Sequence, residues 1–281
     1  MGLRLLIPRA LDTPGILRTV VKLFTLLLAL SAAASAAAQS ALSLQPSSFK
    51  AEPDAPLSLS LLEGAKPLPW PADAHWLFIR TAGTQENRSN ADLPKPGSLD
   101  AAPLTLEVPG AALIGLDLAP RLSTWSPEAF TTFAAAAGNA DLCPTSPTLV
   151  EHLVSAAALL RITPAGAHAT PDSTATSKSG QSVEIRPLMD PTTLLPGSTL
   201  AVRLYLLGDA LPHATLTAHH AATGTTLTTK ADAKAIANLT IAHAGHWRLE
   251  LHTIQPITDS PAAFRAGSAS LTFQVPEPAT P

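Results

Sequence analysis

The chain has 281 residues, 46% hydrophobic and 14% charged, with 27 prolines, 15 glycines and a formal charge of −3. So little charge excludes a charge-driven disordered protein, and the lack of a basic run beyond the N-terminus excludes a nucleic-acid surface. The single cysteine, Cys143, excludes a disulfide framework and a cysteine-based metal knuckle; it is expected to be a small buried hydrophobe.

The chain begins MGLRLLIPRALDTPGILRTVVK, with Arg4, Arg9, Arg18 and Lys22 against Asp12, and runs into LFTLLLALSAAASAAA over residues 23–38. A basic segment, an apolar segment and a small-residue tail, in that order, predict a secretory signal peptide over 1–38, cleaved after Ala38. The apolar run falls short of the ~20 residues a spanning helix requires. Retention as an N-terminal membrane anchor is the alternative. On either reading the remainder is periplasmic or secreted.

Residues 39–162 predict a β-rich domain with two helices. LSLQPSSF, PLSLSLLEG, HWLFIRT, APLTLEV and ALIGLDL place apolar residues at alternate positions, the mark of half-buried strands. In SPEAFTTFAAAAG, Ser126 is a natural N-cap, Pro127 suits the first helical position and Gly138 the stop. PTLVEHLVSAAALLRI puts Leu149, Leu153, Ala156, Ala157 and Leu160 on one helical stripe, which predicts a second helix with His152 off the stripe and solvated. Residues 163–180 read as a linker of Ser, Thr, Pro, Ala and Gly. SVEIRP, TLAVRLYL, HATLTAHH, TTLTTK, IANLTIA and HWRLELH then follow at short spacing with turns between them. That rhythm predicts an immunoglobulin-like β-sandwich over 181–255, with 256–281 as a Pro-rich tail whose LTFQV adds an edge strand. The fold class expected is therefore mainly β with two short helices, in two parts.

Histidine density in HAGHWRLELH, residues 243–252, raises the question of a metal site. Read as a strand, Trp247, Leu249 and Leu251 share a core face, and His246, Arg248, Glu250 and His252 share a solvated one. His246 and His252 then stand about 20 Å apart, too far to share an ion. A metal site needs convergence across strands, for example His243 or His246 with one of His213, His219 and His220. The alternation alone favours an ordinary strand face.

GQSVEIRPLMDPTTLLPGSTLAVRLYLLGDALPHATLTAH and TTKADAKAIANLTIAHAGHWRLELH resemble a bacterial domain-of-unknown-function family, often labelled periplasmic substrate-specific components of nickel or cobalt uptake. The matching positions include Glu184, Asp190-Pro191, Gly197, Gly208, Asp232, Gly245, Trp247 and His252, and the upstream segments agree more loosely. The resemblance implies an exported protein handling a divalent metal such as nickel or cobalt, with an envelope protein or metal transporter as partner. Two departures weaken that implication. Ser40 stands near where the family places a His at its mature N-terminus, and Lys234-Ala235 stand where it has a turn glycine.

The function expected is a non-enzymatic exported binding or accessory protein. The alternative is a structural or adhesive β-sandwich module that binds protein or polysaccharide at the envelope. A hydrolase lacks support, because the sequence contains no nucleophile elbow and no His-Glu-x-x-His, and Glu184 and Asp190 read as turn and edge polar groups.

Overall fold

The computed structural model describes residues 41–82, 84–88 and 93–278; the predicted signal peptide lies outside them. The first strands are β1 (Leu42–Pro46), β2 (Lys50–Ala51), β3 (Leu57–Glu63), β4 (Lys66–Leu68), β5 (Ala74–Thr81), β6 (Thr84–Arg88) and β7 (Ala102–Leu104). They are followed by β8 (Gly110–Leu118), β9 (Arg121–Trp125), the helix α1 (Pro127–Ala136) and β10 (Thr148–Ile162). The C-terminal part holds β11 (Val183–Pro187), β12 (Ser198–Leu206), β13 (Asp209–Ala210), β14 (Thr215–His220), β15 (Thr226–Lys230), β16 (Ile236–Ile241), β17 (Gly245–Pro256) and β18 (Phe264–Val275).

Among the described residues these strands build three sheets. The central one runs β15-β14-β17-β18-β10-β8-β5-β6, with β2 and β9 also paired to β10. Strands β11, β12, β13 and β16 form a sheet packed on one face, around Trp247, Leu249, Leu251, Leu200, Val202 and Leu204. On the other face lies the sheet of β1, β3, β4 and β7, around Leu44, Leu59, Leu61, Ile114 and Leu160. The α1 helix covers the end of that same face, with Phe130 and Phe133 against Val150, Ile254 and Ala266. The mainly β, sandwich-like expectation holds.

Of the two predicted helices, one forms. Ser126 caps α1 through its side chain, which accepts from Ala129 N–H, and Pro127 opens it. The second is a correction: residues 148–162 form the fifteen-residue strand β10. It runs parallel to β18 and antiparallel to β8, and both of its faces are buried from Leu153 to Ile162. A strand covered on both sides has no polar alternation to show, so its apolar run mimics a helical stripe.

The LTFQV segment is the second correction. It belongs to β18, which sits between β17 and β10 in the middle of the sheet and not at an edge. Strands from both sides of 163–180 thus pair in one sheet, and the described residues form one compact unit. Cys143 is exposed, contrary to the burial expected of it; its thiol donates to the Ala140 carbonyl at 3.3 Å. No described helix is long and apolar enough to cross a membrane.

Candidate functional site

Alternation along β17 places Trp247, Leu249 and Leu251 in the core at 0% exposure, as expected. The opposite set is not a solvated stripe. His246, Arg248, Glu250 and His252 are buried or half-buried, because β1 and α1 lie over them. Alternation tells which residues share a face, but not whether another layer covers it. The hydroxyls of Ser270 and Thr272 on β18 hold that cover down by donating to the carbonyls of Leu42 at 2.6 Å and Leu44 at 2.7 Å. A polar seam is thereby enclosed between the central sheet and the N-terminal strand.

The histidines singled out in the sequence are dispersed. His213 is exposed in a turn at φ 63, and His243 is exposed with its ring stacked 5.2 Å from that of His220. His220 is buried; its Nδ1 lies 2.8 Å from Thr223 Oγ1, and its Nε2 donates to the Ala244 carbonyl at 2.9 Å. His219 lies 3.2 Å from both Thr226 Oγ1 and Glu250 Oε2. The His246 ring sits 4.5 Å from Phe49 with its Nε2 buried and without a hydrogen bond. Burial, then Arg248 and His220, push His246 down to about 4.

His219, His246 and Arg248 share the lining of a cavity of about 380 Å³, but Arg248 Nε stands 2.8 Å from Glu250 Oε1 and brings positive charge into the group. Among the described residues, no three His, Cys, Asp or Glu side chains are gathered as a metal centre.

A different constellation does converge. His152, expected on a solvated helix face, lies instead on the seam face of β10 and is largely buried. Its Nε2 is 3.0 Å from Ser268 Oγ, and His252 Nδ1 is 3.2 Å from the same oxygen. Edge-on aromatic rings hold both imidazoles in place: Trp125 and Phe133 on His152, at 5.4 and 5.5 Å, and Phe133 on His252, at 5.2 Å. Burial, then His252 and Arg121, push His152 down to about 4. Burial also lowers His252, against the opposing pull of Glu250.

His152 and Ser268 open onto a cavity of about 460 Å³ between the N-terminal strand and the central sheet. Trp70, Trp125, Leu42, Leu68 and Val154 supply its apolar wall, and Glu63 and Arg121 its charged rim. Arg121 is already paired with Asp73. The cavity therefore offers a mainly apolar wall and a small set of aimed, uncharged polar groups, the usual make-up of a small-ligand site. Period-two reading of β10 in place of period 3.6 was the signal that would have put His152 and Val154 on one face with Ser268.

A family model described as "Domain of unknown function (DUF4198)" matches residues 36–255. The chain belongs to the DUF4198 family. No curated protein matches it. Among solved structures, murine CEACAM1b is similar at 8% identity and TM-score 0.21, with 84% of this chain and 100% of that chain covered. The human OSCAR ligand-binding domain is similar at 12% identity and TM-score 0.20, covering 82% and 96%. Fibronectin(III)-like modules of Clostridium thermocellum CbhA match at 10% identity and TM-score 0.20, covering 83% and 94%. TM-scores this low support no inference about fold or ligand.

Several DUF4198 motif positions now have physical roles. Glu184 and Asp190, expected as turn and edge polar groups, are buried clamps. Glu184 accepts the backbone N–H groups of Ser179 at 2.6 Å and Gly180 at 3.3 Å. Asp190 pairs with buried Arg161, whose guanidinium also donates to Thr192 Oγ1 at 2.7 Å and the Thr170 carbonyl at 3.0 Å, tying β10 to the segment before β12. Gly245 has φ 110, and a Cβ there would come within 3.0 Å of His220 Nε2. Asp232 accepts from Lys234 and Ile236 N–H at 2.8 and 2.9 Å, and Ala235 takes the left-handed φ of 60 that the family's turn glycine would adopt without strain.

Proposed function

We propose that this DUF4198 protein is an exported, non-enzymatic binding protein that takes its ligand in the cavity beneath β1. The observation that carries this reading is the cavity itself: about 460 Å³, walled by Trp70 and Trp125, with His152 and Ser268 as its uncharged polar groups. Export is supported by the basic, apolar and small-residue order of residues 1–38.

A binding role is favoured over hydrolysis by the setting of Ser268. It lies inside two ladders, with β10 on one side and β17 on the other, so the surrounding backbone amides are engaged in the sheet and not free to stabilise an oxyanion. The nickel or cobalt uptake implied by the family resemblance is one version of this reading, with a metal transporter or another envelope protein as recipient.

The test is a thermal-shift and tryptophan-fluorescence titration of tag-free protein against amino acids, monosaccharides, short carboxylic acids and the chlorides of nickel, cobalt, copper and zinc. At least one should raise Tm and change the tryptophan emission. Leu68→Trp, which fills the cavity, should cancel both effects. A panel in which nothing shifts either signal, or shifts that survive Leu68→Trp, overturns the reading. Fractionation of expressing cells should place the protein, shortened after Ala38, outside the cytoplasm.

A further inference from the structure

The polar features of the cavity beneath β1 share one electrical character. Both indole N–H groups in its wall are already spent: Trp70 donates to the Asp100 carbonyl at 2.8 Å and Trp125 to Ser123 Oγ at 2.9 Å. What these two side chains offer a ligand is the electron-rich faces of their rings. Pro69 and Pro71 have no N–H to give, and the backbone N–H of Trp70 is held by the Ser98 carbonyl at 2.9 Å. Ser268 Oγ lies 3.0 Å from His152 Nε2 and 3.2 Å from His252 Nδ1. A hydroxyl has one proton, so it donates to one ring and accepts N–H from the other; its unspent capacity is an acceptor lone pair.

The charges agree. Arg121, the cation of the lining, is committed to Asp73 through two of its nitrogens. Glu63 at the rim is exposed and, among the described residues, enters no ion pair. Lys66 stands opposite it across the β3–β4 hairpin but outside the lining. Burial pushes His152 down to about 4, so no imidazolium offsets Glu63 at neutral pH. Carboxylate, ring faces and acceptor oxygen all favour a positively charged hydrogen-bond donor. An anion would meet Glu63 with Arg121 already spent.

We propose that the cavity binds a small organic monocation, a protonated amine carried on an apolar or aromatic body. This deepens the reading of the cavity as the ligand site and rests on it. Trp70, Trp125, Leu68 and Val154 take the body; Glu63, the indole faces and the Ser268 oxygen select the cation. A volume of about 460 Å³ suits a body of one ring and a short chain.

Probes that share a body and differ in charge separate the two contributions: 2-phenylethylammonium chloride, 2-phenylethanol and sodium 3-phenylpropanoate, titrated into tag-free protein by calorimetry and tryptophan fluorescence. The ammonium should bind on the order of tenfold tighter than the alcohol, from one exposed ion pair and one cation–π contact, with the carboxylate weakest. Glu63→Gln, at an exposed position, should cut the preference for ammonium over alcohol about threefold. Added salt should weaken the ammonium more than the alcohol. Equal or tighter binding of the alcohol or the carboxylate, a preference indifferent to Glu63→Gln, or no binding by any of the three overturns the proposal. If it is overturned while some ligand still acts through the cavity in a Leu68→Trp-sensitive way, the charge class falls and the binding reading stands. Ammonium binding at full affinity in Leu68→Trp sinks both.

Discussion

The two faces of the central sheet are built from the same strands and held by different physics. Toward β11, β12 and β16 the face is dry: Trp247, Leu249, Leu251, Leu271 and Phe273 are each 0% exposed. Toward β1 and α1, the intervening positions of β17 and β18 hold His246, Arg248, Glu250, His252, Ser268, Ser270 and Thr272. The dry face gains stability from apolar area removed from water. The seam gains much less, because each buried polar group must first recover the hydrogen bonds it had in water. A protein that needed only stability would have filled the seam with Leu and Val.

That contrast is breakable in graded steps. The largest effect belongs to the dry face: Trp247→Ala should lower unfolding free energy by about 3–5 kcal/mol, read by urea denaturation. Acid should strike the seam harder than the dry face. Burial holds His152 at about 4 in the folded protein against 6.5 for an ordinary imidazole, so its stabilising contribution is whole above pH 6.5. It falls away as pH drops through that window, by on the order of 3 kcal/mol for His152. His246 and His252, shifted in the same direction, add to the loss. Denaturation midpoints of metal-free protein between pH 7.5 and 4 should trace this, and His152→Phe should flatten the curve.

Thr272→Val keeps shape but removes the hydroxyl that donates to Leu44 O, and should cost about 1–2 kcal/mol by the same urea assay. The smallest effect lies outside both faces. Exposed Leu207 adopts φ 51 beside Gly208 at φ 88, in the two-residue turn between β12 and β13. Leu207→Asn should stabilise by about 0.5–1 kcal/mol, raising Tm without altering ligand binding.

The dry face was legible in the sequence because alternation is a local property. Trp247, Leu249 and Leu251 declare a core face without reference to any other segment. The seam was not legible, since its burial depends on β1, whose contact with β18 spans 228 positions. His152 was hidden for a second reason. β10 is apolar on both sides, so positions 149, 153, 156, 157 and 160 satisfied a helical period by coincidence, and the neighbouring alanines reinforced it. Convergence of His152 and His252 on Ser268 needs the parallel pairing of β10 with β18, which no spacing along the chain announces.

The clamp of Ser270 and Thr272 on β1 also fixes an order of events. β1 is the earliest described strand to be synthesised, and the groups that fasten it are nearly the last. Since the chain emerges N-terminus first, that strand must wait for almost the whole polypeptide before it can dock. The ligand chamber is therefore closed at the final stage of assembly, and a chain truncated before Ser268 would have strands but no room to hold anything.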